Sequence, residues 1–192
     1  MTATSVSRRV ESSIAAYSKK DYEEAFIHLF PAIDKTAKRR IPKGRVAERI
    51  KAFLHDENKL ITGIATKNVM DIAVDGIDLP TALYKFGRTS IAHEGELDER
   101  LTINNTGSIE IGRVWNLPSS YVFGMTMAVV LAPENSDEQV ASAITFELFD
   151  NSYELNEMWG EVEAIKSRMC DLWRSPDLFK DKPKSTPHHG AR

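Results

Sequence analysis

The first half of the chain is dominated by apolar residues that recur every three or four positions, the spacing of one face of an α-helix. Asp21 and Asp78 each precede such a run, where a carboxylate can accept hydrogen bonds from the free amides of a first helical turn. Pro31 lies inside the second run, so a kink or a break is expected there. Five helices are predicted in this way, over residues 6–17, 22–40, 44–58, 60–74 and 78–93.

The pattern changes after the fifth helix. Apolar residues alternate with polar ones on both sides of Asn105-Thr106-Gly107, which predicts a β-hairpin within residues 100–113. This hairpin would be a small insertion in an otherwise helical protein. The remaining apolar segments predict a helix over residues 118–132, a strand over 143–148 and a long C-terminal helix over 155–173.

Length and composition are those of one globular domain, with 192 residues, 42% of them apolar and 28% charged. We expect a single, mainly α domain over residues 1–174 and a disordered tail over residues 175–192, where apolar residues are almost absent. The one cysteine, Cys170, excludes an internal disulfide bond. The N-terminus has no apolar signal segment, and the apolar run over residues 121–132 is too short to span a bilayer. A soluble, cytoplasmic protein is therefore expected.

Charge is unevenly distributed, although the formal net charge is only −3. Eight basic residues and one acidic residue lie between Lys35 and Lys51, whereas nine acidic residues and no lysine or arginine lie between Glu134 and Glu163. Each run taken alone is typical of a solvated helix face. A basic surface would also suit a polyanion such as RNA or a nucleotide. The candidates for phosphate contacts in the basic run are Lys38, Arg39 and Arg40.

Arg88 and His93 form the candidate reactive pair, near the end of the fifth predicted helix. An imidazole exchanges protons near neutral pH, and a guanidinium can hold a phosphate through several donors. In a regular α-helix, residues five apart lie about 140° apart around the axis, so these two side chains would not share a face. Thr89 and His93, four apart, would share one.

In this context Arg88-Thr89-Ser90-Ile91-Ala92-His93 resembles the signature of the HEPN superfamily: an Arg, a polar residue, three further residues and a His near a helix end. Arg49 and His55 have similar spacing but lack this context, because Ile50 follows the Arg in mid-helix. The resemblance covers about residues 15–95. HEPN proteins are small helical dimers, and many are metal-independent RNases. The resemblance therefore implies a HEPN-like helical bundle and a homodimer in which two copies of the site meet.

The resemblance also implies a mechanism of RNA cleavage that uses no metal and no other cofactor. The RNA 2′-OH would attack the adjacent phosphorus, with His93 as general base or acid and Arg88 stabilising the transition-state charge. Thr89 occupies the position where the family usually has Asn, His or Asp, and it would orient the imidazole. Asp34 on the second helix is a further supporting residue. The products would carry 2′,3′-cyclic phosphate and 5′-OH ends, as expected of a toxin or defence protein that pairs with an antitoxin protein.

The alternative is a non-catalytic helical module that binds a nucleotide or a protein as a dimer. His93 would then be a helix-end histidine that interacts favourably with the helix dipole, and Arg88 would form a salt bridge with Asp98 or Glu99. The simplest role of Asp34 would be an ion pair with the lysine four residues further along its helix. The sequence contains no GxxxxGK[ST], GxGxxG or GxSxG motif, and it predicts no metal site.

Overall fold

The computed structural model describes residues 4–180, and α-helices form most of their regular structure, which confirms the mainly α prediction. Both predicted caps form: the Asp21 carboxylate accepts a hydrogen bond from the Glu24 amide at 3.1 Å, and that of Asp78 accepts one from the Thr81 amide at 2.8 Å. The helices are α1 (Ser5–Ser18), α2 (Tyr22–Arg40), α3 (Val46–Asp56), α4 (Asn58–Thr66), α5 (Leu79–Ala82), α6 (Ser90–Glu94), α7 (Ser120–Leu131) and α8 (Val162–Leu172), with a π-helix over Leu83–Thr89 between α5 and α6.

The helices α1 and α2 pack along each other and contribute much of the core. Val6 and Val10 of α1 are fully buried, and the rings of Phe26 and Phe30 on α2 stack with centroids 5.3 Å apart. The helix α2 continues past Pro31 without interruption, so the break considered from the sequence does not occur.

The fourth helix is shorter than its apolar content predicts. The helix α4 ends at Thr66, because Lys67 takes a left-handed conformation (φ 56°) and donates its amide to the Gly63 carbonyl at 3.0 Å. The segment that follows forms a short antiparallel ribbon, β1 (Ala73–Val74) with β2 (Ile77–Asp78). The prediction of a helix over residues 60–74 was therefore wrong for residues 67–74, where the apolar spacing is less regular.

The predicted β-insertion exists, but its two strands do not pair with each other. Its strands are β3 (Leu101–Asn104) and β4 (Glu110–Ile111), and both pair with a third strand, β5 (Trp115–Pro118), which the sequence pattern did not predict. The pairing of β3 with β5 is parallel and that of β4 with β5 is antiparallel. The insertion is therefore a three-stranded sheet with β5 in the centre, and the hairpin prediction is corrected.

A separate hairpin follows α7. Its strands are β6 (Thr145–Leu148), within the predicted strand segment, and β7 (Asn151–Glu154), which was not predicted. The two turn residues between them, Phe149 and Asp150, both have positive φ angles (51° and 63°), as a tight two-residue hairpin turn requires.

The C-terminal helix starts later than predicted, because residues 155–161 make other hydrogen bonds. Leu155–Glu157 forms a single 3₁₀ turn, and the Gly160 amide donates to the Val130 carbonyl at 3.0 Å. Trp159 therefore precedes α8, whereas the helix predicted over residues 155–173 would have included it.

Two compact units divide the chain, the first ending at Val162 and the second beginning at Glu163. Of the predicted disordered tail, residues 175–180 form hydrogen-bonded turns, and residues 181–192 lie outside the described residues. Among residues 4–180, no helix is both long enough and apolar enough to cross a membrane.

The helices α4 and α7 pack closely together at Gly124. A Cβ atom added to Gly124 would lie 2.7 Å from the Ile61 carbonyl oxygen, well inside van der Waals contact. We expect Gly124→Ala to lower the free energy of unfolding by about 2 kcal/mol, since an overpacking cost of up to about 3 kcal/mol exceeds the gain of about 1 kcal/mol in helix propensity. Chemical denaturation checks this. Gly112→Ala, where a Cβ meets nothing within 4 Å, is the control, and equal effects of the two changes would refute the close approach.

The hydroxyl group of Tyr121 is buried without a hydrogen-bond partner among the described residues, and burial raises the pKa of this phenol to about 12. A buried, unpaired polar group destabilises the folded state. We therefore expect Tyr121→Phe to leave the free energy of unfolding unchanged or to raise it by up to about 1 kcal/mol. Denaturant titration of the two proteins measures this difference, and a loss of stability above that size would contradict the assignment.

Candidate functional site

The helix that carries the candidate pair begins at the Asp78 cap and changes type twice. Regular α-helix in α5 gives way to π-helix at Leu83 and resumes at Ser90, so Arg88 and Thr89 end the π-helix and His93 lies in α6. Because of this change, the 140° separation expected of a regular helix does not apply to Arg88 and His93. Single π-turns are frequent at functional sites.

Close packing against α2 accompanies the π-helix. A Cβ atom on Gly87 would lie 2.7 Å from Cζ of Phe30 and 3.3 Å from a methyl group of Leu101, so only glycine allows this approach without a shift. The residue that precedes Arg88 is thereby held against the core of the domain. Arg88 therefore follows directly after a closely packed position.

Arg88 is half-buried and His93 is exposed, and neither forms a hydrogen bond or an ion pair with any other described residue. The salt bridge between Arg88 and Asp98 that the sequence allowed is absent, because the Asp98 carboxylate accepts a hydrogen bond from Nε of Arg100 at 2.7 Å. That pairing, against the effect of partial burial, lowers the pKa of Asp98. The guanidinium and the imidazole of the candidate pair thus have no hydrogen-bond or ion-pair partner within residues 4–180.

Two further cations approach the same π-helix from other parts of the chain. Nζ of Lys51 on α3 lies 5.2 Å from the ring centroid of Tyr84, and the guanidinium carbon of Arg100 lies 4.4 Å from that of Phe86. Both distances are within the range of cation–π contacts. Lys51 closes the basic run noted in the sequence, but its proximity to the π-helix depends on the packing of α3 and had no sequence signal.

Thr89 does not hold the imidazole in the way the resemblance implies. Its hydroxyl donates to the Tyr84 carbonyl at 3.1 Å, five residues back along the π-helix. A threonine hydroxyl has one proton, so that proton is committed to the backbone and is not available to orient His93. Its oxygen can still accept a hydrogen bond.

Asp34 contributes to a helix–helix contact. Its carboxylate accepts two hydrogen bonds from one edge of the Arg49 guanidinium, at 2.7 Å from Nε and 3.0 Å from a terminal nitrogen, and it does not pair with Lys38. This bidentate pair joins α2 to α3. Arg49 also donates to the Gly44 carbonyl at 3.0 Å, so the second Arg/His pair of the sequence has its arginine fully engaged.

The side chains of Arg39 and Arg40 already form ion pairs within the protein, so they are not free to bind a phosphate. Arg39 donates to the carboxylate of Glu138 and to the side-chain oxygen of Asn135, each at 2.6 Å. Arg40 donates to Glu134 at 2.7 Å and to Glu57 at 2.8 Å. The basic run and the acidic run of the sequence therefore meet here, and neither is only a solvated face.

Of the three predicted phosphate contacts, Lys38 alone keeps an exposed side chain with no hydrogen bond or ion pair to the described part of the chain. We leave Arg39 and Arg40 out of the candidate site for this reason. Within residues 4–180, no three His, Cys, Asp or Glu side chains are grouped so as to hold a metal ion.

Comparison with known proteins places the chain among mycobacterial relatives. It is 24% identical over 176 residues to the uncharacterized protein Rv1289 of Mycobacterium tuberculosis (strain ATCC 25618 / H37Rv), an alignment that covers 81% of this chain and 83% of the relative. The uncharacterized protein Mb1320 of Mycobacterium bovis (strain ATCC BAA-935 / AF2122/97) matches with the same identity and coverage. No solved structure is significantly similar to the chain. The model of the family described as Rv1289 matches residues 5–175, and the chain therefore belongs to the Rv1289 family.

Proposed function

We propose that the protein acts on RNA through Arg88 and His93, as a HEPN-like, metal-independent endoribonuclease of the toxin or defence type. One observation carries the proposal: the side chains of Arg88 and His93, the two groups needed for phosphoryl chemistry, form no hydrogen bond or ion pair with the described residues, and Lys51 and Arg100 contact aromatic rings of the π-helix that ends at Thr89. The guanidinium of Arg88 and the ammonium of Lys51 bring positive charge to this helix, which suits a phosphodiester. The comparisons assign no activity to the relatives, so the proposal rests on this arrangement and on the resemblance of the motif.

The proposed reaction is an internal transfer of the phosphoryl group. A general base removes the proton of the ribose 2′-OH, the 2′-oxygen bonds to phosphorus, and the bond to the 5′-oxygen breaks. A general acid gives that leaving oxygen a proton, so the products carry a 2′,3′-cyclic phosphate and a 5′-OH. His93 would perform one or both proton transfers, and Arg88 would neutralise the charge that develops on the phosphoryl oxygens.

The resemblance further implies a homodimer in which two copies of the site meet. A toxin of this kind would also be held inactive by an antitoxin protein. Both partners are part of the proposal. The mass of the particle in solution, measured by sedimentation equilibrium, tests the homodimer directly, and a monomer at micromolar concentration would count against it.

A phosphate-binding module without catalysis is the second candidate, and one contact favours it. Because the Thr89 hydroxyl donates to the Tyr84 carbonyl, its proton does not orient the imidazole of His93, and Thr89 cannot fully replace the Asn, His or Asp that the family usually has there. A nucleotide or RNA could then be bound by Arg88 and the neighbouring cations without being cut. Single-stranded RNA that binds but stays intact would favour this candidate over the enzyme.

The salt dependence of RNA binding tests the role of Arg88. If its guanidinium contacts a phosphate, Arg88→Gln should lower the slope of log K against log salt concentration by about 0.7, the contribution of one phosphate contact on a single strand. Fluorescence anisotropy with a labelled oligonucleotide gives this slope. Arg113→Gln is the matched control, since it removes the same charge from an exposed residue in the loop before β5. Equal slopes for wild type and Arg88→Gln would contradict the contact.

A further inference from the structure

A partly enclosed cavity of about 160 Å³ lies in the first unit, between α1, α7 and the beginning of β6. Three aromatic rings line it: the Tyr17 and Phe123 centroids are 6.4 Å apart, and those of Phe123 and Phe146 are 5.7 Å apart. The remainder of its wall is mostly aliphatic and includes Met127, Ile144 and Leu155. No residue of the π-helix or α6 lines it, so it is distinct from the Arg88 site.

Three of the four polar side chains of the cavity wall already have partners within the protein, and the fourth, that of Thr145, is exposed. The Thr126 hydroxyl donates to the Val122 carbonyl at 2.8 Å, and the Ser18 hydroxyl donates to the Ile14 carbonyl at 2.9 Å. The Tyr17 hydroxyl interacts with the side chain of Ser119, and partial burial raises the pKa of this phenol. A buried water molecule needs two to four polar partners, so this wall favours an apolar occupant over water.

We infer that this cavity is a binding site for a small molecule with a single apolar aromatic ring, of benzene to indole size. The volume supports the inference, since a cavity of about 150 Å³ lined by apolar side chains in another protein stays dry and binds benzene. Rings at the observed spacing offer edge and face contacts to such a guest. This site goes beyond the proposed action on RNA and does not depend on it.

Fluorobenzene is a suitable probe for the full chain, because its ¹⁹F signal reports binding directly. We expect saturable binding at one site with a dissociation constant of about 0.1–1 mM, a modest affinity for a ligand of seven heavy atoms. The midpoint of thermal unfolding should rise with probe concentration. In wild type, nuclear Overhauser effects should connect the probe's ring protons to the terminal methyl group of Met127.

Two variants locate the binding. Ile14→Phe places a ring in the cavity and should weaken fluorobenzene binding at least tenfold. Thr126→Val keeps the volume of the wall and removes only a hydroxyl that already has a partner, so it should change the affinity less than twofold. The absence of saturable binding up to the solubility of the probe would overturn the inference. Saturable binding in wild type without nuclear Overhauser effects between the probe and the Met127 methyl group would overturn it too, whether or not Ile14→Phe folds.

Discussion

Replacing His93 with alanine is expected to lower the rate of RNA cleavage by about 10²–10⁴-fold, the usual contribution of a general acid or base. The fold should survive, because the imidazole is exposed and has no partner among the described residues. Single-turnover cleavage of a labelled single-stranded RNA measures the rate, and the midpoint of thermal unfolding of both proteins verifies the fold.

His55→Ala is the matched control for this change. His55 belongs to the other Arg/His pair, is also largely exposed, and lies on α3 with Nε2 3.5 Å from the Asp78 carboxylate. Partial burial would raise the pKa of Asp78, but the hydrogen bonds from Thr81 and the electrostatic effect of the nearby His55 outweigh it and lower that pKa. His55 therefore has an electrostatic role of its own. Cleavage should nevertheless persist in His55→Ala. Wild-type rates in His93→Ala would remove His93 from the mechanism.

Glu138→Ala is expected to cause the largest loss of stability, about 3 kcal/mol. Glu138 is 3% exposed and accepts hydrogen bonds from the Thr4 hydroxyl, from the Ser7 amide at 3.1 Å and from Arg39 at 2.6 Å. Removing one partner of a buried ion pair costs about 3–5 kcal/mol. The lower end applies because the Arg39 side chain, 38% exposed, can turn towards water. Urea denaturation at neutral pH measures the loss.

The acidic residue that controls for this prediction is Asp56. Its carboxylate lies 3.4 Å from Arg40 and its side chain is 57% exposed, so Asp56→Ala should change the free energy of unfolding by less than about 0.5 kcal/mol. Similar losses for Asp56→Ala and Glu138→Ala would show that the ion pair at Glu138 is not buried.

The Glu138 carboxylate also makes the free energy of unfolding depend on pH in the acid range. Burial opposes the charge of Glu138, but the hydrogen bonds from Thr4, Arg39 and Ser7 outweigh it and hold the pKa below its ordinary value of 4.5. The stabilisation is therefore complete above that value and is lost as the pH falls through the lower pKa of the folded state. Glu138→Gln should lose this part of the acid dependence, measured as the unfolding free energy between neutral and acid pH.

Local signals in the sequence predicted the parts of the fold that local interactions decide. The carboxylates of Asp21 and Asp78 cap helices where the sequence placed them, because capping involves only the following three residues. The helical spacing of α1 and α2 was equally informative. The helix predicted for residues 67–74 failed, since a left-handed Lys67 is not visible in the apolar pattern.

Pairing between distant residues could not be predicted in the same way. The alternation of apolar and polar residues before and after Asn105 indicated two strands, but both of them pair with β5. The parallel pairing of β3 with β5 involves no tight turn, so the sequence carries no local signal for it. The meeting of Arg39 with Glu138 spans ninety-nine positions and depends on the packing of α2 against the segment after α7. A basic run and an acidic run that each resemble a solvated helix face can therefore form ion pairs with each other in the folded protein.

The candidate site shows the same division. The sequence singled out Arg88 and His93, and neither side chain has a hydrogen-bond or ion-pair partner within the described chain. It did not predict the π-helix or the close approach of Gly87 to Phe30 that accompanies it. It also assigned site roles to Asp34, Arg39 and Arg40. Their ion pairs with Arg49, Glu138 and Glu134 depend on tertiary structure and could not be predicted from the sequence.

Identifying the chemical ends of the RNA products is the most direct test of metal-independent cleavage through His93. Purified protein is incubated with single-stranded RNA in EDTA, and the termini of the fragments are determined by mass spectrometry for wild type and His93→Ala. We expect 2′,3′-cyclic phosphate and 5′-OH ends from wild type and at most about one hundredth of that product from the variant. Intact RNA with wild type, or the same fragments at the same rate with His93→Ala, would contradict it.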